Sequence, residues 1–358
     1  MRYFISDNKD GGGIAFNVKS LCHNFRDVGS PCEVIFLNDG YCEQFFKLIN
    51  ANSLIILYST SGKSLIFSLL VSIIRLFLFK ITNVAPIIYH PRFADAAVSK
   101  FRSLIRKSLQ NLSGNLVYYC DEAKVATNIH HADCPERIIG LASNFDNVVA
   151  HPINNEKFDD KKYNYKITTI GRLVDFKMGY IRSLMRFAKD HPHVLVTIGG
   201  FGPHEKEVAQ ESELLPNLVY LGKLSIEESK YLVQKSDYYV GMGTTLADSI
   251  AVGTVAIVAI ESSSCGLTSG YFGNENAVCY GEFSSEKSYL GLYDFLRKVV
   301  SSVDVELKTV AGVIQPHARL LSLEPSFISV SLVCSIKSLL YLLVAFSSRK
   351  LINQRDYH

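Results

Sequence analysis

The sequence predicts an α/β protein made of two consecutive Rossmann-like domains that face a central cleft. Three observations predict it. Strand and helix signals alternate along most of the 358 residues, the alternation breaks once at a polar stretch, and glycine-rich turns follow several of the strands. The length agrees with two domains at ~100–200 residues each.

The first run of elements begins with a short apolar strand at 2–6, the turn Gly11-Gly12-Gly13 and a helix at 14–25. Strands at 33–37 and 53–58 follow, then an apolar helix at 65–79, a strand at 85–90, a helical stretch and a strand at 116–119. The polar segment 154–164, with its Asp-Asp-Lys-Lys run, reads as a linker. The second run has strands at 165–171, 194–199, 218–221, 237–240 and 255–260, with helices at 180–190, 226–235 and 245–252. The expected domains are therefore 1–160 and 161–325, followed by a helical tail at 326–358.

Composition narrows the functional classes. A hydrophobic fraction of 48% excludes a disordered chain, and a net charge of +3 is too small for nucleic-acid binding driven by global charge. The mean hydropathy of +0.14 traces to two apolar stretches, 65–79 and 327–346. Arg75 interrupts the first and Lys337 sits near the middle of the second. Both are expected to be buried or interfacial helices, with membrane insertion of the second as the alternative. The first ten residues lack an apolar run of signal-peptide length, and the eight cysteines include no C-x-x-C pair. Both features predict a cytoplasmic protein with reduced thiols.

The positive charge is uneven. Residues 1–162 hold 18 Lys and Arg against 15 Asp and Glu, whereas the remainder is balanced at 19 of each. The excess gathers where Lys100, Arg102, Arg106 and Lys107 meet no acid between Asp95 and Asp121. On a helix these cations stand opposite Phe101, Leu104, Ile105, Leu109 and Leu112. Two readings stay open: an ordinary solvated surface helix, or a patch that rests on anionic lipid headgroups.

The strongest chemical pattern lies in the second half. Gly171-Arg172-Leu173 follows a strand, with Lys177 five residues after Arg172 and Gly179 expected just before the next helix. An Arg and a Lys at a strand's carboxyl end suit a diphosphate, because they supply fixed donors and neutralise its charge. Gly200-Phe201-Gly202-Pro203 follows the next strand and would let a backbone turn approach a ligand. Gly241-Met242-Gly243-Thr244-Thr245 then opens a helix whose free N–H groups form an anion site. One turn in, Asp248 could accept hydrogen bonds from sugar hydroxyls.

With these residues in place, the stretch 167–260 resembles the nucleotide-sugar-binding domain of the glycosyl transferases group 1 family, which has the GT-B fold. The matching pieces are Gly171-Arg172-Leu173 with Lys177, Gly200-Phe201-Gly202-Pro203, the segment 217–222, Ser236-Asp237 and the block 241–253. The resemblance implies that Arg172 and Lys177 hold the donor diphosphate, that Gly243, Thr244 and Thr245 give it backbone contacts, and that Asp248 binds the nucleotide ribose. It further implies that Gly11, Gly12 and Gly13 form a glycine loop in the cleft, and that His90 is a cleft histidine able to bind a donor hydroxyl or move a proton. A packed or capping histidine is the alternative for His90. Asp121-Glu122 resembles a strand-end cap, and His151-Pro152-Ile153 the crossover between domains. The family pairs two glutamates eight positions apart; here Val240 takes the first place and the shorter Asp248 the second.

Three patterns are set aside. Ser59-Thr60-Ser61-Gly62-Lys63-Ser64 is similar to a P-loop but has Leu57 where the first glycine belongs. His130, His131, Asp133 and Cys134 are compact enough for a metal, yet their spacing places them around a helix end. Asn111-Leu112-Ser113 fits a glycosylation acceptor, which has no meaning in a cytoplasmic chain. The resulting expectation is a metal-independent, retaining glycosyltransferase with no cofactor beyond its nucleotide-sugar donor. Its partners would be a lipid-linked saccharide acceptor and an anionic membrane surface at the inner face of the cell membrane, in bacterial surface polysaccharide synthesis such as O-antigen or capsule. A catalytically degenerate nucleotide-sugar-binding protein, or a same-fold isomerase or hydrolase, is the alternative.

Overall fold

The computed structural model describes residues 1–7, 9, 13–89, 100–127, 129, 141, 143–145, 148–153, 162–261, 264–273, 280–283, 287–301, 335–341 and 343. The chain divides into two compact units, Met1–Ala142 with Ile314–His358, and Ser143–Val313.

The first unit alternates strands and helices: β1 (Arg2–Ser6), α1 (Gly13–Asp27), β2 (Cys32–Phe36), α2 (Tyr41–Asn50) and β3 (Ile55–Ser59), then α3 (Gly62–Phe77), β4 (Thr82–Ile88), α4 (Lys100–Gln110), β5 (Val117–Tyr118) and α5 (Asp121–Thr127). Its sheet has the order β2-β1-β3-β4-β5, and every pairing is parallel. Successive side chains of β1 feed opposite cores. Phe4 packs with Val18, Phe25 and Tyr58 on the α1 face, while Tyr3 and Ile5 pack with Leu48, Phe67 and Val71 on the other. Burial on both faces explains why these strands read as apolar runs.

The Ser-rich turn before α3 is a helix cap. The Ser61 hydroxyl accepts from the Ser64 amide at 3.0 Å, and the Ser64 hydroxyl accepts from the Ser61 amide at 2.8 Å. Ser61 also donates to Asp7 at 2.6 Å. These reciprocal bonds satisfy the first orphan donors of the helix and account for the serines without a phosphate.

Arg75, near the end of α3, is fully buried and has no carboxylate partner among the described residues. Its guanidinium donates to the Thr82 hydroxyl at 2.7 Å and to the carbonyls of Leu48, Ala51 and Ser53 at 2.8, 2.6 and 2.8 Å. The cation therefore caps the carboxyl end of α2, where the helix dipole favours positive charge. No helix among the described residues is long and apolar enough to cross a membrane. Of the apolar stretch 327–346, residues 335–341 are helical, and Ser338 and Ser108 of α4 exchange hydroxyl-to-carbonyl bonds at 3.0 and 2.9 Å.

The second unit continues with β6 (Tyr165–Ile170), α6 (Asp175–Asp190), β7 (Val194–Gly199), α7 (Glu205–Leu214), β8 (Leu218–Gly222), α8 (Ile226–Gln234) and β9 (Tyr238–Gly241). It closes with α9 (Thr244–Ala251), β10 (Val255–Ala259), β11 (Leu267–Tyr271), β12 (Leu290–Gly291) and α10 (Leu292–Ser301). The sheet order is β12-β11-β10-β9-β6-β7-β8, parallel except for β11 and β12. Two differences from the sequence reading matter. Helix α6 starts at Asp175, so Lys177 lies on its first turn and Gly179 inside it. The antiparallel pair beyond β10 also escapes the sequence, because β12 has only two residues and β11, Leu-Thr-Ser-Gly-Tyr, lacks a continuous apolar run.

Candidate functional site

Strand order locates the site. β6 is flanked by β7 on one side and β9 on the other, so the chain leaves β6 in one direction and returns on its far side. Ligands of open α/β sheets bind at such a reversal, beyond the carboxyl ends of the strands. The residues that follow β6 and β9 are Gly171-Arg172 and Met242-Gly243-Thr244, the two groups that the sequence singles out.

Arg172 is exposed, and Lys177 is partly buried on the first turn of α6. The Lys177 ammonium reaches back over Gly171, where a Cβ would stand 2.9 Å from Nζ. Burial, and behind it the charge of Arg172, pushes the ammonium down to about 8 from its ordinary 10.5. Among the described residues no carboxylate lies within ion-pair distance of either cation. Their location is also unfavourable, because the amino end of a helix repels positive charge. Two neighbouring cations at a positive helix end suit an anion that offsets all three effects.

The loop after β7 is built against the loop after β6. The Gly171 amide donates to Gly199 at 3.0 Å and the Leu173 amide to Phe201 at 2.9 Å. A Cβ on Gly200 would stand 1.8 Å from the Gly171 carbonyl oxygen, and one on Gly202 would stand 2.6 Å from that of Leu173. Both glycines are thus required by loop packing, a different reason from the approach of a ligand that the sequence suggested. The Tyr220 hydroxyl fixes the same loop by donating to the Gly200 carbonyl at 2.9 Å. The exposed Phe201 ring lies under Lys223, 5.4 Å from its Nζ.

At the other strand end, Gly243 has φ +71° and its amide donates to the Tyr280 carbonyl at 2.8 Å. No side-chain hydrogen bond caps the first amides of α9. The Thr245 hydroxyl donates to Met242 at 3.0 Å. Tyr239 joins the two halves of the site. Its buried hydroxyl donates to the Ile170 carbonyl at 3.0 Å and also bonds Thr245. The ring fills the space where a Cβ on Gly241 would stand, 2.6 Å from the nearest ring carbon. Sequence reasoning missed this residue; the Tyr-Tyr-Val-Gly run before the glycine turn was the available signal.

Asp248 has another use than the one expected. It is 4% exposed, and its carboxylate accepts from the Ser143 hydroxyl at 3.1 Å, the Asn144 side-chain amide at 3.2 Å and the Asn144 backbone amide. The carboxylate fastens the entering segment of the second unit. Val240 is wholly buried in the core, so the family's first acid has no counterpart there. Glu261, buried two residues past β10, is a carboxylate at this edge that the sequence reading passed over.

Other expectations sort by place. Gly13 begins α1, while Gly11, Gly12 and His90 lie outside the described residues, as do His130, His131, Asp133 and Cys134. Lys100, Arg102, Arg106 and Lys107 all fall on α4, as expected. The side chains of Lys100 and Arg102 lie outside the described residues; Lys107 is exposed and sits 5.9 Å from the Tyr341 ring. Among the described residues no three His, Cys, Asp or Glu side chains could hold a metal ion.

No model of a known protein family matches the sequence, and no curated protein matches it. Solved structures do resemble it. HepE from Anabaena, in complex with UDP-glucose, has a TM-score of 0.53 at 11% identity over 97% of this chain and 99% of that one. S. aureus MnaA bound to UDP has a TM-score of 0.53 at 9% identity, over 98% of this chain and 96% of the other. A Listeria monocytogenes protein assigned as a UDP-N-acetylglucosamine 2-epimerase has a TM-score of 0.51 at 9% identity, over 99% and 98% of the two chains. Together with the two parallel sheets, these likenesses establish the fold as GT-B, with two Rossmann-like domains.

Proposed function

We propose that this protein is a glycosyltransferase that takes a sugar from a UDP-sugar and passes it to a saccharide acceptor. The observation that carries the reading is the Arg172–Lys177 pair, two cations without a carboxylate partner among the described residues, beside the strand-order reversal. A nucleoside diphosphate supplies the missing negative charge. As the bond to the sugar breaks, charge grows on the leaving diphosphate. Arg172, Lys177 and the first amides of α9 would stabilise that charge in place, which lowers the barrier. The Thr244 and Thr245 amides act through their position, held by the Gly243 turn and by Tyr239. His90 is assigned a donor hydroxyl in this reading, and a retaining outcome is proposed with it. Gly11, Gly12 and Gly13 are assigned to the acceptor side.

The acceptor is proposed to be lipid-linked, presented at an anionic membrane surface where α4 rests its cations, in surface polysaccharide synthesis. A second reading has one specific support. The similar structures include one assigned as an epimerase, and Val240 stands where the resembled family carries an acid. A UDP-sugar isomerase would use the same diphosphate site.

The experiment incubates the full chain with UDP-glucose and UDP-N-acetylglucosamine, with and without a bacterial lipid extract, and follows UDP release and the recovered sugar. Sugar transferred to lipid supports the transferase; recovery of the epimer from intact donor favours the isomerase. UDP binding that survives Arg172→Ala together with Lys177→Ala overturns the site itself.

A further inference from the structure

Three strand-end loops of the second unit are stitched together. The Leu173 amide, beyond β6, donates to the Phe201 carbonyl beyond β7 at 2.9 Å, and the Gly200 amide donates to the Gly222 carbonyl at the end of β8 at 2.6 Å. The Tyr220 hydroxyl adds its bond to the Gly200 carbonyl at 2.9 Å. Neither Gly200 nor Gly202 has room for a side chain, so the backbone on both sides of Phe201 is fixed. Three exposed side chains follow one another along this edge: Arg172 after β6, Phe201 after β7 and Lys223 after β8. At ~4.8 Å between neighbouring strands the outer two loops lie about 10 Å apart, comparable to the reach of one nucleoside.

Phe201 is 46% exposed on this held backbone, where a polar side chain would serve the loop equally well. The Lys223 ammonium stands 5.4 Å from the ring centroid, a cation–π contact that places the ring on the β8 side of its own strand. The other direction along the edge is closed. The Gly243 amide donates to the Tyr280 carbonyl and the Glu261 amide to the Gly281 carbonyl, both at 2.8 Å. A Cβ on Gly281 would stand 2.3 Å from the Ala259 carbonyl oxygen and 2.8 Å from the Met242 Cβ, so this segment lies packed against the ends of β9 and β10. A nucleoside attached to a diphosphate at Arg172 therefore meets packed backbone on one side and an exposed aromatic ring on the other.

We infer that Phe201 is the platform on which the base of the nucleoside diphosphate stacks, and that Lys223 donates to a carbonyl oxygen on the edge of that base. Every base has a π-face, so an aromatic ring on a rigid loop is sufficient to hold one. The ammonium selects among bases, because it can only donate: uracil offers a carbonyl oxygen where adenine carries an amino group. The inference rests on the reading of Arg172 and Lys177 as diphosphate ligands and extends that reading to the nucleoside. Every residue it uses belongs to the second unit.

The full chain is titrated calorimetrically with UDP, ADP and inorganic diphosphate. Phe201→Ala should weaken UDP binding about tenfold or more and leave inorganic diphosphate binding unchanged. Phe201→Trp should keep the UDP affinity. The chain has no tryptophan, so this variant carries a single reporter, whose emission should be quenched by UDP and unmoved by inorganic diphosphate. Lys223→Met should erase the parent's preference for UDP over ADP. UDP affinity unchanged in Phe201→Ala overturns the stacking role, and so does a loss shared equally by inorganic diphosphate, which would mark a role in the loop alone. A parent that binds UDP and ADP alike overturns the role of Lys223. The donor site is judged separately: it fails if Arg172→Ala together with Lys177→Ala keeps inorganic diphosphate binding, whatever the Phe201 variants do.

Discussion

Replacing Lys177 by methionine should make the empty protein more stable and the nucleotide complex weaker. Keeping this ammonium charged costs the empty fold the difference between 10.5 and about 8. At about 1.36 kcal/mol per pK unit, that is about 3 kcal/mol at neutral pH. Methionine keeps the length and apolar stem and removes the charge. In a unit of this size about 3 kcal/mol corresponds to a Tm rise of roughly 6–12 °C. Binding of UDP supplies the countercharge that relieves the same penalty, so the variant should lose about 100-fold in affinity. The pH dependence follows from the direction of the shift. Between about pH 8 and 10.5 the empty folded protein has released a proton that the unfolded chain retains, so stability rises with pH across that window. UDP affinity falls across the same window, because the complex must take the proton back. Thermal unfolding and UDP titration calorimetry at pH 7 and pH 9.5 test both slopes. A variant less stable than the parent at pH 7, or one that keeps both slopes, would refute the assignment of the charge to the diphosphate.

Two further substitutions address structure. Arg75→Leu leaves several buried carbonyls and the Thr82 hydroxyl without their donor, and should cost about 4 kcal/mol or more despite relief of a buried charge, seen as a lower Tm by circular dichroism. Asp248→Ala should cost about 1–3 kcal/mol by releasing Ser143 and Asn144, with UDP affinity close to the parent's. Weaker UDP binding with unchanged stability would return Asp248 to the ribose.

Much of the fold was legible because its strands are buried on both faces and its helices carry one apolar stripe. The runs around Phe4, Leu57 and Val196 could be read as strands from hydrophobicity alone. The strand-end positions of Arg172 and of the Gly243 turn were legible too, since each follows its own strand directly in sequence. What sequence could not show were relations between distant residues. Asp248 looks like a ligand-binding acid until its bonds to Ser143 and Asn144 appear, 105 and 104 positions away. Arg75 reads as an interruption in an apolar helix, yet it holds carbonyls 22 to 27 positions back. Lys177 reads as preceding α6 because the helical signal of its first turn is weak, and in the structure it lies on that turn.

The mutual bonds between Ser108 and Ser338 bear on how the molecule can be taken apart. The first unit is not a continuous piece of sequence: the chain leaves it, forms the whole second unit, and returns. A fragment that stops at Ser301 would contain every strand of both sheets, yet it would strip the cover from a buried serine on α4. Such a cut at one end of the gene would be felt in the half of the protein encoded at the other end. The second unit, by contrast, runs unbroken from Ser143 to Val313 and is the natural piece to express alone to test the proposed nucleotide binding.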